Sequence, residues 1–287
     1  LDSTKSIPPI SDLWFMWTSK RQLEKSMKKK NGTILVTGPT GSGKTTTLYS
    51  MLTTLNTPDR KIITLEDPIE YELPGVVQSE VDERKNYTYA TGLKALMRQD
   101  PDIIMIGEIR DIDSATIAMQ AAMTGHLVLS TLHTKSAWET IERLMNMGVP
   151  NYILASGLDV IIAQRLVRKL CTHCIETYDA DPSQVDIIKY MLKDIGMAAM
   201  AAKKDSYQLH RSKGCSECGM TGYKWRIGLY EVMSFSEEIR TLIRTGSSPK
   251  EIIDTARKGD LMLMREDGIL KAMQGKTSLE ELFKVIE

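Results

Sequence analysis

Eight consecutive residues, Gly38-Pro39-Thr40-Gly41-Ser42-Gly43-Lys44-Thr45, match the phosphate-binding pattern G-x-x-x-x-G-K-[ST] without a mismatch. The composition suits a cradle for phosphate. Glycines let backbone N–H groups turn inward with no Cβ in the way, and the N-terminus of a following helix adds partial positive charge. Lys44 is expected to reach the β/γ oxygens and Thr45 to take Mg2+, with nucleotide contacts running through Thr46. Hydrolysis also needs a carboxylate near the metal and a group that activates water. Two acidic segments offer them, Leu65-Glu66-Asp67-Pro68-Ile69-Glu70 and Asp102-Ile103-Ile104-Met105-Ile106-Gly107-Glu108. Glu108, closing an apolar run, is expected on the magnesium side. Glu66 and Glu70 are both candidates for the base, and the residues alone leave that choice open. Two of the four histidines, His126 and His133, bracket another apolar stretch, and His133 is placed to sense the γ-phosphate.

The four cysteines form a second constellation. Cys171-x2-Cys174 and Cys215-x2-Cys218 have the spacing of a closed, tetrahedral zinc site. Four thiolates leave no position for water, so this zinc is expected to be structural. His173 is a possible substitute ligand.

Elements must hold these residues in place. From residue 33 short β-branched strands alternate with amphipathic helices, the pattern of a mostly parallel sheet. Strands are expected at 33–37, 61–65, 76–80, 102–106 and 127–131. Helices are expected at 44–55, 88–98, 113–123 and 137–147, and one or two more across 151–168. The phosphate loop then lies between a strand and a helix, as its chemistry requires. Residues 169–232 read as a tetracysteine metal-binding subdomain with a helical middle, 185–202. Residues 233–287 read as small helices separated by Gly246, Gly259 and Gly275. Residues 1–30 are expected to be a linker or the remnant of a missing N-terminal domain, with one helix ended by the Lys28–Lys30 run. The core that carries the phosphate loop is expected over 31–168.

Bulk properties narrow the classes. The 287 residues carry 37 basic and 37 acidic side chains, so no global charge pulls the chain toward nucleic acid or anionic lipid. No run approaches the roughly 18 apolar residues of a membrane span, and the first residues lack a secretory signal. A cytoplasmic protein is expected. Because it starts with Leu, the sequence is expected to begin partway along a longer chain.

Four motifs occur in order: the phosphate loop, the acidic box Thr64-Leu65-Glu66-Asp67-Pro68-Ile69-Glu70, the segment Arg98-Gln99-Asp100-Pro101-Asp102 through Gly107-Glu108-Ile109-Arg110-Asp111, and the histidine box from Gly125 to Thr134. Together they resemble the secretion ATPase superfamily of type IV pilus assembly and type II secretion, from about residue 32 to the end. The resemblance implies a RecA-like P-loop NTPase core, a small tetracysteine zinc-binding insert and a helical C-terminal region, α/β in class. It implies a homohexameric ring that hydrolyses ATP with Mg2+ and works against an inner-membrane platform protein, with no nucleic acid expected. In that family Glu70 matches the general base, Glu108 the Walker B glutamate and His133 the second histidine of its box. Gly107 stands where the usual Walker B aspartate would be. Arg84, Arg98 and Arg110 are candidates for neutralising phosphate charge. The tetracysteine pattern resembles assembly and secretion enzymes, which retraction enzymes generally lack. Lys135 and Ser136 depart from the Asn-Asp common in relatives, and residues 1–30 resemble the family poorly. The resemblance implies that the family's N-terminal domains are expected to be missing from this stretch, with reduced activity. Two other readings are a ring ATPase for conjugation or DNA transfer, against which the cysteines and neutral charge argue, and a nucleotide-dependent assembly scaffold with little turnover.

Overall fold

The computed structural model describes residues 7–194 and 206–286. The expected helix at 185–202 falls partly outside that range. Within it, the central sheet segments are apolar on both faces because helices cover both sides. Strand β1 is Gly32–Thr37, β2 Ile62–Glu66, β3 Val77–Glu80, β4 Ile103–Ile106, β5 Leu127–Leu132, β6 Leu158–Leu170 and β9 Tyr223–Ser234. Their order across the sheet is β3-β2-β4-β5-β1-β6-β9. All neighbours run parallel except β9, which pairs antiparallel with β6. The chain is α/β with a parallel sheet, as expected.

Alternation along the strands divides the core. Ile34, Val36, Ile62, Ile103, Met105 and Leu129 point to one face. There they meet Leu23 and Met27 of α1 (Trp17–Met27) and Leu48 and Leu52 of α2 (Lys44–Leu55). Leu35, Ile63, Leu65, Ile104, Ile106 and Val128 point to the other. That face is covered by α3 (Tyr89–Leu96), α4 (Ile112–Met123), α5 (Ala137–Asn146) and α6 (Asn151–Gly157). Capping boxes start α3 at Thr88 and α4 at Asp111, each side-chain oxygen accepting the N–H three residues on. These elements begin and end within two residues of the expected positions, the ordinary scatter of helix and strand ends.

One expectation fails. The segment 151–168 is not helical throughout: α6 stops at Gly157 and the chain becomes the 13-residue strand β6. Val160-Ile161-Ile162 is stiff at χ1 and favours a strand. Both faces of its first half pack into the core, so its first seven residues are all buried and no alternation marks it as a strand. The expected borders at 168/169 and 232/233 fall inside strands. They cut through β6 and β9, which pair from Val160 opposite Ser234 to Leu170 opposite Tyr223.

The cysteine segment between these strands contains β7 (Ile175–Asp179), α7 (Pro182–Leu192) and β8 (Gln208–Ser212), with β7 and β8 pairing antiparallel. Helices Glu237–Thr245, Pro249–Lys258, Met264–Met273 and Leu279–Phe283 follow β9, and Gly246 and Gly275 take positive φ at their ends.

The last of these helices pins the outer end of β6. Arg168 grips Glu281 with two hydrogen bonds of 2.8 and 2.6 Å, and Lys284 adds a third at 2.7 Å. The guanidinium holds the Glu281 carboxyl down to about 2. Its stabilisation is therefore complete above the unfolded value of about 4.3 and is lost as pH falls toward the folded one. Glu281→Gln is expected to cost about 1–2 kcal/mol near neutral pH, the half-exposed arginine keeping it low. Urea titrations across the acid range should show the difference shrinking below about pH 4.3. A deficit that stays constant down to the folded value would contradict the ion-pair account.

Candidate functional site

In a parallel sheet the strand carboxyl ends form one rim, and the described motifs meet there. The phosphate loop leaves β1 and enters α2 through Gly43, whose φ of 87° is left-handed. A Cβ on Gly38 would stand 2.5 Å from the Gln164 carbonyl of β6, so the loop can lie against that strand only as glycine. Gly41, at φ 78°, faces open space. The Lys44 ammonium donates to the carbonyls of Gly38 at 2.9 Å and Pro39 at 3.1 Å. Burial lowers its pKa, Glu108 opposes that and Arg165 adds to it.

A cleft of about 510 Å3 opens over the loop. Thr40, Gly41, Gly43, Lys44, Thr45 and Thr46 form one wall, and Glu66, Asp67, Glu70, Gly107, Glu108, Thr131 and His133 the facing one. Pro39 and Thr40 border the adjoining groove, while Ser42 is buried beneath the loop. The end of β4 is tied to β5 by the Ser130 hydroxyl on the Ile106 carbonyl, 2.8 Å, and by that of Thr131 on Gly107, 2.7 Å. These ties set Glu108 beside His133, with His133 Nε2 3.4 Å from the carboxylate. Arg110 Nε donates to the other Glu108 oxygen at 2.5 Å, and its guanidinium reaches Asp67 at 3.1 Å. His126 lies at the opposite end of β5, its Nδ1 on the Ala121 carbonyl at 2.9 Å.

The two acids left open by the sequence occupy different surroundings. Glu66 is buried and accepts hydrogen bonds from Tyr49 at 2.5 Å, Thr64 at 2.6 Å and Gln78 at 3.2 Å. Glu70 lines the same cleft with its side chain exposed.

Of the three candidate arginines only Arg110 joins this group. Arg84 is 93% exposed and pairs with Asp82 beyond β3. Arg98 is exposed and precedes β4, at the amino end of the sheet, away from the carboxyl rim. Neither lines the cleft. Sequence reasoning missed Tyr49, Tyr89, Gln164 and Arg165. Tyr89 is buried beside Gly107, where a Cβ would stand 3.0 Å from its hydroxyl, so a larger residue before Glu108 would crowd it. Gln164 accepts the Thr47 hydroxyl at 2.7 Å, and Arg165 lines the neighbouring groove with His133. Both lie on β6, and reading that stretch as a helix removed the signal that would have placed them.

The four cysteines meet at the far end of β6. Cys171 follows that strand, Cys174 precedes β7, and Cys215 precedes and Cys218 ends a three-ten turn before β9. All four sulfurs lie within 4.8 Å of one another. Separations of 3.9, 3.9 and 3.7 Å match the edge of about 3.8 Å in a tetrahedron with metal–sulfur bonds of about 2.3 Å. Burial opposes ionisation of Cys218, yet the N–H groups of Cys215 and Gly222, each 3.2 Å away, hold its thiol down to about 6. Burial pushes Cys174 up to about 11. The set fits a four-coordinate thiolate-bound metal. His173 is exposed and outside it.

Comparison with known proteins agrees with this geometry. The family described as type II/IV secretion system protein matches residues 3–284. Type II secretion system protein E of Pseudomonas aeruginosa is 46% identical over 93% of this chain and 51% of its own length. The type IV pilus assembly ATPase PilB of the same organism is 44% identical over 99% of this chain and 49% of its own. This chain thus spans about half the length of these curated relatives. Among solved structures, the pilus retraction motor PilT with bound ADP superposes with a TM-score of 0.69 at 28% identity, covering 98% of this chain and 67% of that one. The ATPase DotB of Legionella pneumophila gives 0.67 at 24% identity over 97% and 65%, a likeness of fold.

Proposed function

This chain belongs to the type II/IV secretion system protein family, and from that premise we propose that it is the ATP-hydrolysing engine of a hexameric motor serving type IV pilus assembly or type II secretion. One observation carries the reading: the phosphate loop, Glu70, Glu108 and His133 converge on a single cleft at the carboxyl rim of the sheet. The motor is placed in the cytoplasm, working against a platform protein of the inner membrane. No helix of the described residues is long and apolar enough to cross a membrane, which suits a motor acting through partners.

Catalysis in such a site is positioning and charge stabilisation. Loop N–H groups and Lys44 hold the triphosphate. Two of the three Lys44 donors are directed at the Gly38 and Pro39 carbonyls, which fixes where the third points. Mg2+, held by Thr45 and Glu108, would neutralise charge on the β and γ oxygens. Glu70, exposed in the cleft, accepts the proton of the attacking water. Glu66 is already engaged by three donors and serves as a structural acceptor. Arg110 holds Glu108 in place, and His133 against Glu108 reports the state of the γ-phosphate. Zinc, if held by Cys171, Cys174, Cys215 and Cys218, would fix the cysteine segment to the ends of β6 and β9.

The test is phosphate release from ATP with Mg2+ across a range of protein concentrations, with Lys44→Ala as control. Specific activity that rises with concentration and disappears in the variant is the expected result. Activity independent of concentration would argue against shared sites in a ring, and activity that survives Lys44→Ala would remove the phosphate loop from the reaction.

A further inference from the structure

We infer that Tyr49 is a positioning residue that ties the loop carrying Glu70 to the helix carrying Lys44; the inference rests on reading Glu70 as the base. Tyr49 lies on α2, five residues beyond Lys44, and is fully buried. Its hydroxyl donates to Glu66 at the end of β2, 2.5 Å away. The same oxygen accepts the Tyr71 N–H at 3.4 Å, and the N–H of Glu70 itself faces it. The Tyr49 ring meets that of Tyr71 edge-on, with centroids 5.2 Å apart.

Gln78 of β3 closes the network from the other side. Its amide donates to the Tyr71 carbonyl at 3.0 Å and to Glu66 at 3.2 Å, and its oxygen accepts the Leu73 N–H at 2.7 Å. Glu80 takes the Ile69 N–H at 3.0 Å. The backbone is therefore held on both sides of Glu70 while the carboxylate stays exposed in the cleft. Burial, reinforced by the hydrogen bond to Glu66, pushes the Tyr49 hydroxyl far above its ordinary range, so it keeps its proton and remains a donor. Glu66 is the acceptor at the centre, which gives the buried acid a purpose other than proton transfer. The network couples two parts that must be in register when water attacks: the phosphate-holding helix and the loop with the base. A misplacement of about 1 Å at such a site can cost on the order of 100-fold in rate.

The experiment compares the unsubstituted chain with Tyr49→Phe, which deletes the hydroxyl and keeps the ring. Phosphate release gives kcat, and binding of a non-hydrolysable ATP analogue gives affinity. The expected result is a loss of about 10–100-fold in kcat with analogue affinity unchanged within about 2-fold. Added to Glu70→Gln, Tyr49→Phe should cause no further loss, because there is no base left to position. Gln78→Leu, read the same way, serves if Tyr49→Phe does not fold. Full kcat in these variants, a proportional loss of analogue binding, or a loss that multiplies with that of Glu70→Gln would each overturn the inference. If Glu70→Gln turns over ATP at the parent rate, the base assignment itself fails and the inference falls with it. Activity that depends on Glu70 but ignores Tyr49→Phe strikes only the positioning role.

Discussion

Glu70→Gln is expected to lower ATP turnover by about 10²–10⁴-fold, the range for removing a general base, while ATP affinity changes little. The substitution keeps the shape of an exposed side chain in the cleft and removes only its ability to take a proton. Glu66→Gln should behave differently. That side chain is buried and accepts from Tyr49, Thr64 and Gln78, so an amide NH2 would face groups that already donate. Its main effect is expected on stability, about 1–3 kcal/mol for disturbing buried charged acceptors. Its turnover loss should be much smaller than that of Glu70→Gln, since it acts only through the loop. Phosphate release, analogue binding and urea denaturation on both variants separate the two. The reverse pattern, with Glu66→Gln inactive, stable and able to bind, would move the base to Glu66.

Removal of the metal is expected to have the largest effect on stability. About one equivalent of zinc per chain should be found by elemental analysis, because four sulfurs at this spacing fit a metal bound by four thiolates. Isolated zinc-finger peptides gain about 10–16 kcal/mol from metal at neutral pH, so even a fraction of that matters for one domain. Here the cluster joins the end of β6 to the start of β9, and the Cys171 N–H is bonded to the Gly222 carbonyl at 3.0 Å. Cys218→Ser is expected to lose the metal, lower the melting temperature and expose the cysteine segment to proteolysis. ATP analogue binding should survive at temperatures where the sheet is intact, because the loop rests on Gln164, midway along β6, and the cluster lies beyond the last residue of that strand, Leu170. Purified protein without zinc, or a Cys218→Ser variant with an unchanged melting curve, would show that the cysteines do not hold a structural metal.

Local chemistry was legible in the residues themselves. The phosphate loop requires particular glycines, a lysine and a threonine in contiguous order, and the tetracysteine site requires two short pairs. Both patterns survive without knowledge of the fold. The strands β1 to β5 and their helices were legible as well, since a short apolar run bounded by turn residues and a helix with its cap are local signals. Strand β6 was not. Both faces of its first half are buried, one in each core cluster, and it runs on directly from α6 with no turn between, so helix and strand look alike there until the neighbours are known. Gln164 and Arg165 were lost with it. Tertiary structure alone separated Glu66 from Glu70: four residues apart in one acidic box, they differ only in what packs around them. Tyr49 from α2 and Gln78 from β3 saturate the first and leave the second open to the cleft. The same holds for the arginines. Arg84, Arg98 and Arg110 carry the same charge, but Arg98 lies at the amino end of β4, Arg84 follows the edge strand β3 and pairs with Asp82, and Arg110 follows the inner strand β4 and bonds Glu108.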